Sequence, residues 1–419
     1  MSLSTPALIL LVTNLGLIWL LLAAPIGKRT IRVRRLFREK PERIGEAMHP
    51  LGRDALWDPQ ILSSQPLKER NGIVQTFAQS DRDGQPIERR LALDPVDGAW
   101  TMAYEARVLE DSALDPAFWK NYRECRKVRP VPGGTELIIE QTDQYRGLAM
   151  LIFRFFQLRR QFDTFEAWLT TGKASRVTGF ERPAIQIMMA VLSTLILWPF
   201  FGLSLSGLAM STMLTLVIAL HELGHLVAYR AFGHETVRMI FIPLLGGVAI
   251  GGKPYSSRLE VATCALMGPG LSAFFVPVLV EAHVIGTDAG ASGAYNEIVL
   301  TFLLIMGGFN ILNMLPMSRF DGGQVLRQVF VSRNALLFGT FVVAGAIMLT
   351  GWRIGIPYQA LCGGLAVMVL LSMTNQVGVK PRRELLPIGG GERLFVLFGY
   401  YAALVIHAYG LIYAADHLF

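Results

Sequence analysis

Apolar and polar positions repeat along this chain on three different scales. The longest is a set of unbroken apolar runs. Leu8 to Ala24 is the first, and seven more follow at roughly 184–202, 205–229, 261–283, 297–315, 334–351, 356–374 and 394–415. Each is near the length that carries a helix across about 30 Å of hydrocarbon. The shortest scale is strand-like alternation. Thr101-Met102-Ala103-Tyr104-Glu105-Ala106-Arg107-Val108 and Thr135-Glu136-Leu137-Ile138-Ile139-Glu140-Gln141 read as half-buried strands, and Pro132-Gly133-Gly134 predicts a hairpin turn. Between these scales lies a helical period over Gly147 to Leu169. There Leu151, Phe155, Leu158, Phe162, Phe165 and Leu169 fall along one stripe. The pattern predicts a polytopic α-helical membrane protein of about eight transmembrane helices, with an α+β soluble domain between helices 1 and 2. The boundaries are 1–27 for an N-terminal anchor, 28–183 for the soluble domain, 184–325 for a membrane core and 326–419 for the remaining transmembrane helices.

Composition narrows this further. With 419 residues, 52% hydrophobic content and mean hydropathy +0.41, the chain does not read as a wholly soluble protein. Cysteines at 125, 264 and 362 make neither a disulfide framework nor a CxxC pair. The net charge of +7 does not call for nucleic acid, because its distribution explains it. Residues 28–183 hold 27 of the 39 Lys and Arg, interspersed with acids. With the N-terminus outside, the inner segments hold every Lys and Arg except Arg353. The soluble domain and the basic loop Lys380-Pro381-Arg382-Arg383 are then expected in the cytoplasm, that loop touching anionic lipid. Both termini are expected outside a cell membrane, with a bacterial inner membrane as the setting. Positive charges follow Leu8–Ala24 rather than precede it, so the run reads as an anchor and not a cleaved signal.

Chemistry concentrates in His221-Glu222-Leu223-Gly224-His225, at the end of an apolar run. Two His four apart share one helix face. Neutral imidazoles so placed clamp Zn²⁺, and Glu222 between them serves as general base. Ionisable groups at membrane depth are costly and mark function. Zinc needs a third protein ligand and an open fourth position. Asp321 is the candidate, within Asn313-Met314-Leu315-Pro316-Met317-Ser318-Arg319-Phe320-Asp321-Gly322-Gly323. Pro316 breaks the preceding helix, so Asp321 is expected on irregular chain inside protein or a wet cavity. Asn313 is placed to donate to a developing oxyanion.

Together the two stretches resemble the site-2 protease family of intramembrane zinc metalloproteases. That family pairs HExxH on one transmembrane helix with N-x-x-P-x-x-x-x-D-G on a later one. The matching positions are His221, Glu222 and His225, then Asn313, Pro316, Asp321 and Gly322, within residues 184–325. The resemblance implies one zinc per chain held by His221, His225 and Asp321, with Glu222 as the base. It also implies regulated intramembrane proteolysis. Gly268-Pro269 is a weaker match. Ser272 stands where the family often has Asn, and it is given no role.

Between the motif helices, Val237 to Gly252 is too short and too Gly-rich to span. It reads as a re-entrant hairpin around Gly246-Gly247, an element for which the family is known. A bare strand edge there would bind an extended substrate. The expected partners are a single-span membrane-protein substrate and the lipid bilayer, with no nucleic acid. The soluble region loosely resembles the START-like helix-grip fold, through its strands, Pro41-Glu42-Arg43-Ile44, Trp57 and the late helix. That likeness implies an apolar ligand between sheet and helix. The rival to a protease is a non-proteolytic scaffold whose soluble domain binds a lipid or apolar ligand. A second enzyme reading puts zinc chemistry on a small lipid-like substrate. His49, His234, His283, His407 and His417 have no partner at ligand spacing and are expected at surfaces or interfaces.

Overall fold

The computed structural model describes residues 23–53, 55–67, 72–173, 183–242, 246–373 and 383–419, with Gly16, Trp19 and Leu20. Most of the expected anchor, and Lys380-Pro381-Arg382 of the basic loop, lie outside the described residues. The chain divides into two compact units, residues 1–178 with 378–384, and residues 179–377 with 385–419.

The first unit is built on a seven-stranded sheet. Its strands are β1 (Pro25–Phe37), β2 (Ile61–Pro66), β3 (Gly72–Ser80), β4 (Pro86–Pro95), β5 (Met102–Asp111), β6 (Arg123–Val131) and β7 (Gly134–Arg146). They run antiparallel in the order β1-β7-β6-β5-β4-β3-β2. Val131 pairs with Gly134, so Pro132-Gly133 is the expected tight turn, with Gly133 at φ +90°. Helix α1 (Pro41–Met48) follows β1, and α2 (Leu148–Thr171) follows β7. Leu158, Phe162 and Phe165 of α2 are buried with Phe37, Ile44, Trp57, Leu137 and Ile139, and Leu151, Phe155 and Leu169 pack at the margin. Each fully buried side chain of this size contributes about 1.5–3 kcal/mol. The stripe, more than helix propensity, therefore holds α2 in place. One boundary differs from expectation. Pro25 to Gly27 belong to β1 and not to the anchor, pairing with Arg146 and Tyr145. Pro25 has no N–H with which to continue a helix.

The second unit holds α3 (Pro183–Leu197), α4 (Leu205–Ala231), α5 (Arg258–Ala273), α6 (Phe275–Asp288), α7 (Gly293–Asn313), α8 (Asp321–Val329), α9 (Arg333–Arg353), α10 (Tyr358–Met373) and α11 (Gly390–Leu418). A hairpin of β8 (Arg238–Ile242) and β9 (Gly246–Ile250) lies between α4 and α5. Among the described residues, 6 helical stretches are long and apolar enough to cross a membrane, by length and composition: 184–201, 205–231, 258–288, 293–313, 333–353 and 390–418. About eight were expected. Of the other two, α10 reaches 16 residues in its described part, and most of the first run lies outside the described residues. The expected span 261–283 is interrupted at Phe274. Pro277 offers no N–H to the carbonyl four residues back, which frees the chain to bend there. Arg353, the single basic residue expected on the outer side, is matched by Asp416 through two bonds of 3.1 and 3.0 Å. Inside the bundle Tyr400 is fully buried and donates its hydroxyl to the Met314 carbonyl at 2.6 Å.

Candidate metal centre

Helix α4 is capped by Ser204, whose Oγ accepts the Gly207 N–H at 3.1 Å. His221 is about 24 Å along its axis at 1.5 Å per residue. Its neighbour Glu222 and the next-turn His225 are also buried. The two imidazoles share a face, with Nε2 atoms 3.1 Å apart. Asp321 arrives from the far side. After α7 the chain is irregular from Met314 to Phe320, and Asp321 is the first residue of α8. It therefore opens a short helix, where irregular chain was expected. Any Cβ on Gly322 or Gly323 would overlap the carbonyls of Met314 or Met317, so the return needs glycine at both positions. The turn sets Asp321 Oδ2 at 3.0 Å from His221 Nε2 and 3.4 Å from His225 Nε2.

The outer nitrogens decide what those three atoms are. Asn310 is fully buried on α7 and donates its amide to the Met306 carbonyl at 2.9 Å. Its Oδ1 is therefore an acceptor, and His221 Nδ1–H donates to it at 2.9 Å. His225 Nδ1–H donates to the Cys264 carbonyl at 2.6 Å. In the neutral rings both Nε2 lone pairs then face the Asp321 carboxylate. Three acceptors meeting in a buried site call for a cation. Two imidazoles and one carboxylate are a zinc donor set, and bonds of about 2.0–2.1 Å place tetrahedral ligand atoms about 3.3 Å apart. The separations of 3.0, 3.1 and 3.4 Å fit that spacing. Space fits as well. A Cβ on Gly268 of α5 would lie 2.6 Å from His225 Nε2 and 2.7 Å from His221 Nε2, so its hydrogen leaves the cradle open.

Glu222 lies against the hairpin. A Cβ on Gly247 would overlap Glu222 Cγ, so this strand rests directly on the Glu222 side chain. The direction of β9's edge follows from its register. Phe241 donates its N–H to Gln186 Oε1 at 2.8 Å, away from β9. Phe241 faces Gly247 and Met239 faces Ala249, so both are non-hydrogen-bonded pairs. The backbone groups of Gly247 and Ala249 therefore point away from β8, along the free edge of β9. Gly246 has φ +93°, a conformation that favours glycine, and Pro243 to Leu245 at the tip lie outside the described residues.

Other expected residues fall differently. Asn313 is half-buried and donates to the Phe309 carbonyl at 3.0 Å, whereas Asn310 holds His221. An Asn amid Phe309, Ile311 and Leu312 in a membrane helix was itself a signal. Three of the histidines expected at surfaces or interfaces are buried within the fold, each with a polar partner there. His234 has Glu260, His283 has the Tyr413 hydroxyl, and His407 has the Pro269 carbonyl.

No protein-family model matches this chain. Over 134 residues it is 29% identical to a zinc metalloprotease of Methanocaldococcus jannaschii, covering 32% of this chain and 37% of that one. The chain thus spans little more than a third of that relative's length. The search of solved structures finds likenesses that cover about a third of the chain. A START superfamily protein from Mycobacterium smegmatis is 11% identical, with 35% of this chain and 99% of that one covered and a TM-score of 0.27. The major latex-like protein 151 of Panax ginseng is 10% identical, with 33% and 96% covered and a TM-score of 0.25.

Proposed function

We propose that this protein is an intramembrane zinc metalloprotease of the site-2 protease kind, acting in regulated intramembrane proteolysis. Its substrates are single-span membrane proteins, cut in or near the transmembrane segment. The setting is a cell membrane, with both termini outside and the soluble domain in the cytoplasm. The observation that carries the reading is the meeting of His221 Nε2, His225 Nε2 and Asp321 Oδ2 beside a buried Glu222. The distant zinc metalloprotease relative supports it.

His221, His225 and Asp321 would hold one zinc per chain. When bound, zinc supplies Lewis-acid activation of water and of the scissile carbonyl. The chain's own residues do the rest. Asn310 and the Cys264 carbonyl fix both imidazoles as Nε2 ligands. Glu222 takes a proton from the attacking water and returns it to the leaving amine. The second N–H of the Asn313 amide, the one not given to the Phe309 carbonyl, would donate to the developing oxyanion. A transmembrane helix keeps its carbonyls bonded, so the scissile stretch must unwind. The outward groups of Gly247 and Ala249 offer the unwound strand replacement bonds beside Glu222. A scaffold with structural zinc has no use for a buried carboxylate there.

The test is to incubate the purified protein in detergent or liposomes with candidate single-span proteins, with and without chelator. Cleavage that stops with chelator and returns with zinc is expected. Cleavage unaffected by complete metal removal would contradict the reading.

A further inference from the structure

We propose that the buried His234–Glu260 pair is a positioning clamp. It sets the free edge of β9 against Glu222, and so governs how tightly an extended substrate is held. The proposal rests on the protease reading for its kinetic consequence, but its structural part stands alone.

A two-stranded hairpin is marginal by itself. Something outside its own ladder must fix β8 and β9. The hairpin leaves α4 through Phe232–Val237 and reaches α5 through Gly251–Ser257. His234 lies in the first leg and Glu260 in the first turn of α5, and both are 1% exposed. His234 Nδ1 accepts the Lys253 N–H at 3.3 Å, so its Nε2 carries the hydrogen and donates to Glu260 Oε1 at 2.7 Å. The other oxygen of Glu260 accepts the Ser256 N–H at 2.7 Å and its hydroxyl at 2.8 Å. One imidazole and one carboxylate thus tie the entering leg, the leaving leg and α5 together.

The clamp is also seated on the zinc helix. A Cβ on Gly251 would overlap His234 Nδ1 and lie 2.9 Å from Tyr229 Cδ1, so this leg rests flush on both rings. Tyr229 stands one turn beyond His225 on α4, and its hydroxyl is 2.5 Å from that of Tyr255. Four residues before Gly251, Gly247 rests on Glu222. Gly247 to Gly251 spans about 13 Å of strand. Glu222 to Tyr229 spans about 10 Å of helix. The hairpin therefore meets α4 at two matching seats, one at the base and one at the catalytic end. Loosening the lower seat lets the upper edge drift out of line with an extended substrate, which weakens the main-chain pairing that holds the strand.

The experiment compares wild type with His234→Ala, Glu260→Gln and His234→Gln. None of these touches His221, His225, Asp321 or Glu222. Zinc content should stay unchanged. The KM for a cleaved substrate should rise at least about tenfold while kcat changes less than about threefold, the signature of lost strand binding. His234→Gln, whose amide both donates and accepts, should recover part of the loss. Independently of any substrate, amide exchange over Gly246–Ile250 should quicken at least about tenfold in His234→Ala, while α4 keeps its protection. Unaltered hairpin exchange would overturn the proposal, whatever the kinetics. So would wild-type KM, or a parallel loss of zinc and kcat. If wild type cleaves nothing, the protease reading fails instead, and the exchange result alone decides the clamp.

Discussion

Glu124 in the sheet domain and Asp321 in the helical bundle are both carboxylates largely withdrawn from water, yet their surroundings are opposite. Glu124 accepts from Arg126 Nε, the Tyr122 hydroxyl and Gln141 Nε2, each at 2.7 Å. Nearby, Asp111 is satisfied the same way, by Arg89 and the N–H groups of Ala113 and Leu114. Asp321 faces two imidazole nitrogens whose rings already donate on their other sides. Complete pairing describes a structural carboxylate, and converging acceptors describe a place for a cation. Within the membrane unit Glu260 repeats the first pattern, which is why it is read as a clamp and not a ligand.

The largest expected effect tests the structural side. Arg126→Met leaves the mostly enclosed Glu124 without its cation and should destabilise the sheet domain by about 3 kcal/mol, with no change in zinc. Thermal melts followed by tryptophan fluorescence would measure it, and a shift of zero would break the contrast. The pH dependence has a definite sign. Burial pushes the Glu124 carboxyl up, but Arg126 and the hydrogen bonds of Tyr122 and Gln141 outweigh it and hold it below its ordinary value of 4.5. Its stabilising contribution is therefore complete above that value and is lost as pH falls through the lower folded one. Glu124→Gln should flatten this part of the acid-unfolding profile.

On the catalytic side, Glu222→Gln should keep zinc and bind substrate, yet lose turnover by at least about 10²-fold. Turnover equal to wild type would remove the base. Next in size, Asn310→Ala releases the ring of His221 and should lower zinc affinity about 10–100-fold. Competition with a chelator of known affinity measures this, and unaltered affinity would sever Asn310 from the site. The smallest effect belongs to Arg353→Ala. An exposed pair such as Arg353–Asp416 contributes at most about 1 kcal/mol, so only a slight change in melting is expected. A large one would mean that the outer rim holds the bundle together.

What the sequence made legible follows from fixed spacing. His221 and His225 share a face because they are four apart, and the stripe of α2 is visible through its helical period. The return at Asp321 was marked by Pro316 and two glycines. The missing pieces depend on which elements meet. Asn310 and Asn313 lie about 60° apart on α7, and only packing against α4 selects the former. Gly268 matters through an absent Cβ, which no periodicity records. His234 and Glu260 are 26 positions apart and pair only because the hairpin brings its two legs together.

The central claim is that His221, His225 and Asp321 hold zinc, and metal content tests it most directly. Purified wild type should carry about one zinc per chain, and His221→Ala and Asp321→Ala should each lose most of it. Full zinc retention in both variants would contradict the account.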